Sequence, residues 1–221
     1  MEEKNGIVKC APSEIETESF RIIQNELFEK RISLDEKTKQ IVLRVIHATA
    51  DFDFAENILF SENVVEAFRC ALLKHPAIVT DTNMALAGVN QSALKKLSLC
   101  AHCFMSDSDV ALEAKNRNTT RAFVSVEKAF KIFASPVIVC GNAPTALLSL
   151  CSLLDNGFLP SAVIACPVGF VNVIEAKEKV TEKLLAKQIP FVVTRGRKGG
   201  STVATAICNA FLYLCGGRDA D

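Results

Sequence analysis

At 221 residues, 49% of them apolar, the chain can bury one substantial core, and its length fits one domain. Its 25 lysines and arginines balance 25 aspartates and glutamates, which removes the global positive field of a nucleic-acid binder; with no tryptophan and one tyrosine, stacking platforms are also few. There is no apolar run of membrane-spanning length, and residues 1–6 lack the basic-then-apolar layout of a secretory signal, so a cytoplasmic protein without membrane contact is expected.

In chain order, Phe20, Ile23 and Leu27 recur at helical spacing and predict a first helix. Ser33-Leu-Asp-Glu36 has the form of a capping box ahead of Ile41, Val42, Val45 and Ile46, which predicts a second helix ending near His47. Residues 51–55 read as a connection, and after Ser61 a third helix carries Val64, Phe68 and Leu72 on one stripe until Pro76 stops it. From Ala77 onward, short β-branched runs alternate with helices, at 77–80, 99–105, 137–140, 162–165 and 191–194. Runs that are apolar throughout and separated by helices belong to a mainly parallel sheet covered on both faces. The expected organisation is one domain over 1–221, mainly helical in 1–76 and alternating β/α in 77–215, with strands recurring at about the ~30-residue size of a βαβ unit.

The last three strands run directly into glycine-containing loops, 141–145, 167–171 and 195–201. Ligands of open α/β sheets bind outside the carboxyl ends of the strands, so these loops are expected to line one crevice. Pro144 suits the first turn of a helix, and Asn142 is a candidate N-cap or ligand-facing amide. The third loop places Arg195, Arg197, Lys198 and three glycines at a helix start, where guanidinium groups, free N–H groups and the helix dipole all favour a carboxylate or phosphate. It is not a phosphate-binding P-loop, and no G-x-G-x-x-G follows the first strand, which weakens a flavin- or nucleotide-using reading. A solvated basic turn is the plainer alternative.

Of the three histidines, His75 at a helix end and His102 within a strand read as structural. His47 ends an amphipathic helix, a position that favours imidazolium and suits a proton donor, although an ordinary helix-ending histidine is the commoner role. Nine cysteines, from Cys10 to Cys215, mostly sit in apolar runs and read as reduced thiols in a reducing compartment. Cys100-Ala-His-Cys103 has C-x-x-C spacing but no second pair, so no metal site is expected. The pairs Asp51/Asp53 and Asp107/Asp109 could be caps, turns or acids. Read from its residues alone, the chain is an anion-binding α/β protein with one suggestive histidine.

Five strings in order, Val45-Ile-His-Ala-Thr-Ala-Asp-Phe-Asp53, Val79-Thr-Asp-Thr-Asn-Met84, Gly141-Asn-Ala-Pro-Thr-Ala-Leu147, Pro167-Val-Gly-Phe-Val171 and Arg195-Gly-Arg-Lys-Gly-Gly-Ser201, resemble the precorrin-8X and cobalt-precorrin-8 methylmutases nearly end to end. The resemblance implies a flavodoxin-like, doubly wound, three-layer α/β/α fold and a homodimer. It also implies an isomerase without a cofactor of its own, which moves a methyl group from C-11 to C-12 of a tetrapyrrole and yields a cobyrinate-type corrin in cobalamin biosynthesis. His47 falls on the family's catalytic histidine, and Ser19 and Arg121 on substrate-contacting positions. Asn142, Gly169, Arg195 and Arg197 are added from loop placement. Asn90 stands where some members carry a substrate-contacting threonine, a departure that leaves its equivalence open. The acidic stretch around Asp51 and Asp53 leans towards the cobalt-containing substrate. A corrinoid carrier that holds the ring without changing it is the alternative.

Overall fold

The computed structural model describes residues 3–4, 7–8, 11, 14–75 and 77–217; the readings placed on residues 1–2, 5–6, Cys10 and Pro76 lie outside them. A small hairpin, β1 (Glu3–Lys4) and β2 (Ile7–Val8), precedes α1 (Ile15–Glu29), α2 (Lys39–Thr49), a 3-10 turn (Phe52–Ala55), β3 (Ile58–Phe60) and α3 (Val64–Lys74). Then follow β4 (Ala77–Thr80), α4 (Asn83–Gly88), α5 (Gln91–Lys96), β5 (Cys100–His102), α6 (Ser108–Asn116) and α7 (Arg121–Ile132). The chain continues through β6 (Val137–Cys140), α8 (Pro144–Asp155), β7 (Ala162–Ala165), α9 (Val173–Ala186), β8 (Phe191–Thr194) and α10 (Ser201–Leu212).

The main sheet has the order β3-β8-β7-β6-β4-β5, and every pairing except β3 with β8 is parallel. Taken by themselves, the five parallel strands have the flavodoxin-like order 2-1-3-4-5, so the direction of winding reverses between β4 and β6. Side chains alternate between the faces as the pleat requires. Ile78, Val139, Ile164 and Val192 join a core shared with α1, α2, α3 and α10, whereas Val79, Ile138, Val163 and Val193 join a second core shared with α6 to α9. The result is a three-layer α/β/α structure. In the first layer Phe68 of α3 stacks on Phe211 of α10, with ring centroids 4.0 Å apart and planes 7° from parallel. Helix α2 packs along α10, and α1 covers α2.

Three boundaries differ from the sequence expectation. Helix α2 starts at Lys39, and Asp35 organises its entry in place of a Ser33/Glu36 capping box: its carbonyl accepts from the N–H groups of Thr38 and Lys39, and its carboxylate from the Lys37 N–H and the Thr38 hydroxyl. An aspartate bonding the backbone two residues on forms a local turn that competes with helix, which delays the first helical turn. Residues 58–60 form an edge strand where none was expected, because three residues are too few for a periodic signal; pairing with β8 gives them their structure. The run read as strand over 99–105 keeps only Cys100–His102 in the sheet.

Truncating Phe211 to alanine removes a fully buried ring that joins two helices, and about 3–5 kcal/mol of stability should be lost, measured as a lower urea midpoint at unchanged m-value.

Candidate active site

The crevice predicted at the carboxyl rim is built by backbone lying directly on backbone. A β-carbon on Gly141 would sit 2.7 Å from the Ser201 Cα, and one on Gly199 would sit 2.2 Å from the Cys166 carbonyl oxygen, so glycine is what lets the three loops close on one another. The Gly200 N–H donates to the same Cys166 carbonyl at 2.9 Å. The loop after β4 joins them through Thr82, whose hydroxyl caps α4 by accepting from the Ala85 N–H and meets the Ser201 hydroxyl at 2.8 Å.

At the winding reversal, the buried carboxylate of Asp81 accepts from the N–H groups of Gly141, Asn142 and Ala143, each at 2.8 Å, and from the Cys140 thiol. The N-terminus of α8, where a phosphate would sit in a nucleotide-binding sheet, is therefore already occupied by an internal anion. Pro144 takes the first helical position as expected, but the N-cap is Ala143 without a side-chain bond. Asn142 does not cap the helix: Asp81 does that work, and the Asn142 side chain is exposed.

His47 lies exposed in the last turn of α2, with Phe20 of α1 edge-on to it at 5.4 Å between centroids. The helix ends at Ala50, in left-handed conformation at φ 53°, and Asp51 then caps the 3-10 turn by accepting from the Asp53 N–H. Lys198, in the loop after β8, reaches across to this segment and binds Asp51 at 2.7 Å and Asp53 at 2.6 Å. The hydrogen bond from Lys198 holds the Asp51 carboxyl below the usual carboxylate range, and the two carboxylates raise the Lys198 ammonium. This bridge fixes the His47 end of α2 to the basic loop at the carboxyl rim.

The other expected positions fall into two groups. Arg195 and Arg197 are exposed on the loop after β8; the Arg195 N–H donates to the Asn57 carbonyl, and the Arg197 guanidinium lies 5.6 Å over the Phe170 ring. Gly169, at φ +143°, donates its N–H to the Arg197 carbonyl and so joins the loops after β7 and β8. Arg121 opens α7 beside its cap Thr120, whose hydroxyl meets Thr145 of α8 at 2.7 Å, so it borders the β6 loop. Ser19 is half-buried on α1 next to Phe20 and donates to the Ile15 carbonyl.

Asn90 is differently placed. Its oxygen caps α5 at the Ala93 N–H, its amide donates to the Tyr213 hydroxyl, and its own N–H donates to Asn209, so its side chain is spent on structure. Asp107 and Asp109 both hold Lys128, which leaves them ion partners on α6. His102 packs with Phe104 and Phe133, and His75 is the C-cap of α3. Cys100 is exposed and Cys103 half-buried.

Two residues were missed. Asp81 lay inside a quoted string without a role, since nothing local shows that its carboxylate meets a loop sixty residues further on. Lys177 is 3% exposed on α9 and donates to the carbonyls of Gly196 at 2.8 Å and Lys198 at 2.9 Å, underneath the basic loop. Burial pulls its ammonium down to about 8. A signal was present: Lys177 interrupts the stripe Val173, Ala176, Val180 and Leu184, where an apolar residue is the rule.

Val168, Phe170 and Val171 on the loop after β7 and Met84 in the first turn of α4 expose apolar side chains, with Phe170 83% exposed. Fold and site together define an open-sheet α/β protein whose carboxyl rim carries exposed apolar side chains and a basic loop tied to the end of α2. The chain belongs to the precorrin-8X methylmutase family, whose sequence model matches residues 14–214. Members are isomerases that catalyse an intramolecular methyl migration in cobalamin biosynthesis. Among similar proteins, the cobalt-precorrin-8 methylmutase of Leptospira interrogans is 41% identical, covering 92% of this chain and 94% of its own. That of Salmonella typhimurium is 40% identical, covering 91% and 95%. The solved precorrin-8X methylmutase of Thermus thermophilus superposes with a TM-score of 0.81 at 33% identity, covering 92% of this chain and 98% of its own. No helix among the described residues is long and apolar enough to cross a membrane.

Two outcomes test this architecture. Asp81→Ala orphans three backbone N–H groups and should cost about 3 kcal/mol in urea unfolding, at about 1 kcal/mol for each unsatisfied donor. Because Asp51 is held low, the Lys198 bridge is complete above the usual carboxylate range and is lost as pH falls through and below it. Amide protection factors at residues 50–53, taken against intrinsic exchange at each pH, should fall on that acidification, and Lys198→Met should show the lower protection already at neutral pH.

Proposed function

We propose that this chain moves the methyl group of a precorrin-8 macrocycle from C-11 to C-12, with cobalt-precorrin-8 as the substrate and cobyrinate as the product, rather than the metal-free pair precorrin-8X and hydrogenobyrinate. The observation that carries the reading is the tether that brings the exposed imidazole of His47 to the edge of the basic loop at the carboxyl rim. The two cobalt-precorrin-8 methylmutases, at 41% and 40% identity, against 33% for the precorrin-8X enzyme of known structure, favour the cobalt form.

The ligand's chemistry fits the surface. A macrocycle fringed with acetate and propionate arms is a flat apolar disc with an anionic edge. The disc lies against Val168, Phe170, Val171 and Met84, and the edge meets Arg121, Arg195 and Arg197, whose planar guanidinium forks suit carboxylates. Ser19 and the exposed Asn142 amide supply neutral hydrogen bonds, and Gly169 lets the β7 loop run close to the ring. The Asn90 side chain caps α5 and holds Tyr213, so the reading gives it a supporting place behind the ring's contacts.

In the reaction the bond from the methyl group to C-11 breaks as the bond to C-12 forms, so atoms balance without a nucleotide, an oxidant or a methyl donor. His47 lends a proton or hydrogen bond to the ring as electron density shifts and takes it back when the methyl group arrives. That interaction strengthens only in the migrating geometry, which is what lowers the barrier. A cofactor of the protein's own is not needed; cobalt, where present, enters with the substrate. The exposed rim of a single chain, with Phe170 and Val171 uncovered, suits a homodimer in which a second copy closes over the disc. The free thiols suit the cytoplasm.

Incubation of cobalt-precorrin-8 with the unmodified chain should change the visible spectrum to that of the product. His47→Ala should still bind but convert about 10²–10⁴-fold more slowly, the usual contribution of a positioned acid or base. Equal conversion by both would remove His47 from the mechanism, and binding without conversion by either would identify a corrinoid carrier.

A further inference from the structure

In the loop after β8, two carbonyls face inward onto buried donors and the one between them faces the loop after β7. The Gly196 and Lys198 carbonyls accept from the Lys177 ammonium, the Lys198 carbonyl accepts also from the Thr194 hydroxyl at 3.0 Å, and the Arg197 carbonyl accepts from the Gly169 N–H. In a trans peptide the N–H of the next residue points opposite to the carbonyl. The N–H groups of Arg197 and Gly199 therefore point away from Lys177, towards the rim, and among the described residues neither meets a protein acceptor. Arg195, Arg197 and Lys198 are exposed on the same loop.

The ammonium below is unusual company for a core. Lys177 stands on an otherwise apolar stripe and has no carboxylate hydrogen-bond partner among the described residues; the thiols of Cys140 and Cys166 are titratable groups on the neighbouring strands, with Arg195 on the loop and Glu178 and Glu182 along its own helix. Burying a charge there costs stability that an apolar side chain of the same length would not cost. What the charge provides is a donor that reaches two carbonyls two residues apart, which no apolar residue can do.

We propose that Lys177 is a positioning residue for the substrate: by holding the Gly196 and Lys198 carbonyls inward, it presents the N–H groups of Arg197 and Gly199 to a carboxylate arm of the macrocycle. This rests on the reading of the rim as the tetrapyrrole site. Without the ammonium the peptide planes are free to turn, and the arm meets a carbonyl dipole as often as an N–H. The reacting carbons are elsewhere on the ring, so the loss falls on binding and spares the chemical step.

The test is Lys177→Met, which keeps the length and removes the donor, assayed with cobalt-precorrin-8 in steady state beside thermal melting. The expected result is a KM raised about tenfold with kcat within about threefold of the unmodified chain, and a single cooperative melting transition lowered only by the loss of the two carbonyl bonds. An unchanged KM, or a kcat that drops about tenfold or more alongside the melting temperature, overturns the proposal. Should Lys177→Met fail to fold, Thr194→Val removes the second donor to the Lys198 carbonyl at nearly constant volume, and a KM raised a few-fold supports the proposal while an unchanged one overturns it. Absence of turnover in the unmodified chain is a different outcome: it defeats the functional reading itself.

Discussion

The carboxylate of Asp81 decides what sort of ligand the rim can take. The first N–H groups of a helix that faces a crevice are the natural seat of a phosphate. Here that seat is filled from within, by a side chain two strands away in sequence and next door in the sheet. The dipole of α8 is thereby satisfied, and the β6 loop is fixed against Ser201 closely enough that only glycine fits at 141. A ligand arriving at the winding reversal finds no deep anion hole. It finds a broad surface on which side chains and the β8 loop must do the anchoring, which suits a large flat polyanion better than a mononucleotide.

The second organising contact is Lys198 between Asp51 and Asp53. Exposed ion pairs contribute little to stability, and these three side chains are all at least partly exposed. Their value is geometric. Helix α2 packs along α10 through its apolar stripe, which sets its axis but leaves the direction of the chain beyond Thr49 undetermined. Anchoring both carboxylates to one ammonium ties the chain just beyond His47's helix to the loop after β8.

Together with Lys177 these contacts give the loop of residues 195–200 opposite constraints on its two sides. Buried donors from Lys177 and Thr194 hold its carbonyls, glycine lets it lie on the Cys166 carbonyl, and its cationic side chains remain outside. A loop with three glycines in six residues loses much conformational entropy on ordering. The hydrogen bonds beneath it offset that cost and leave its ligand-facing groups set in advance, which is how preorganisation raises affinity.

The sequence by itself determined the layers. Apolar runs of four residues separated by amphipathic helices admit only a covered parallel sheet, and the glycine loops and His47 were legible because turn chemistry and helix ends are local. Tertiary structure alone decided the rest. The edge strand at 58–60 is structured by pairing with β8, and the role of Asn90 by the arrival of Tyr213 and Asn209 from the far end of the chain. Asp81 and Lys177 belong to the same class, since the groups they satisfy are backbone atoms, which are alike at every position of a sequence. A carbonyl or amide acquires an identity only when the fold gives it a neighbour, and that neighbour cannot be read from residue types.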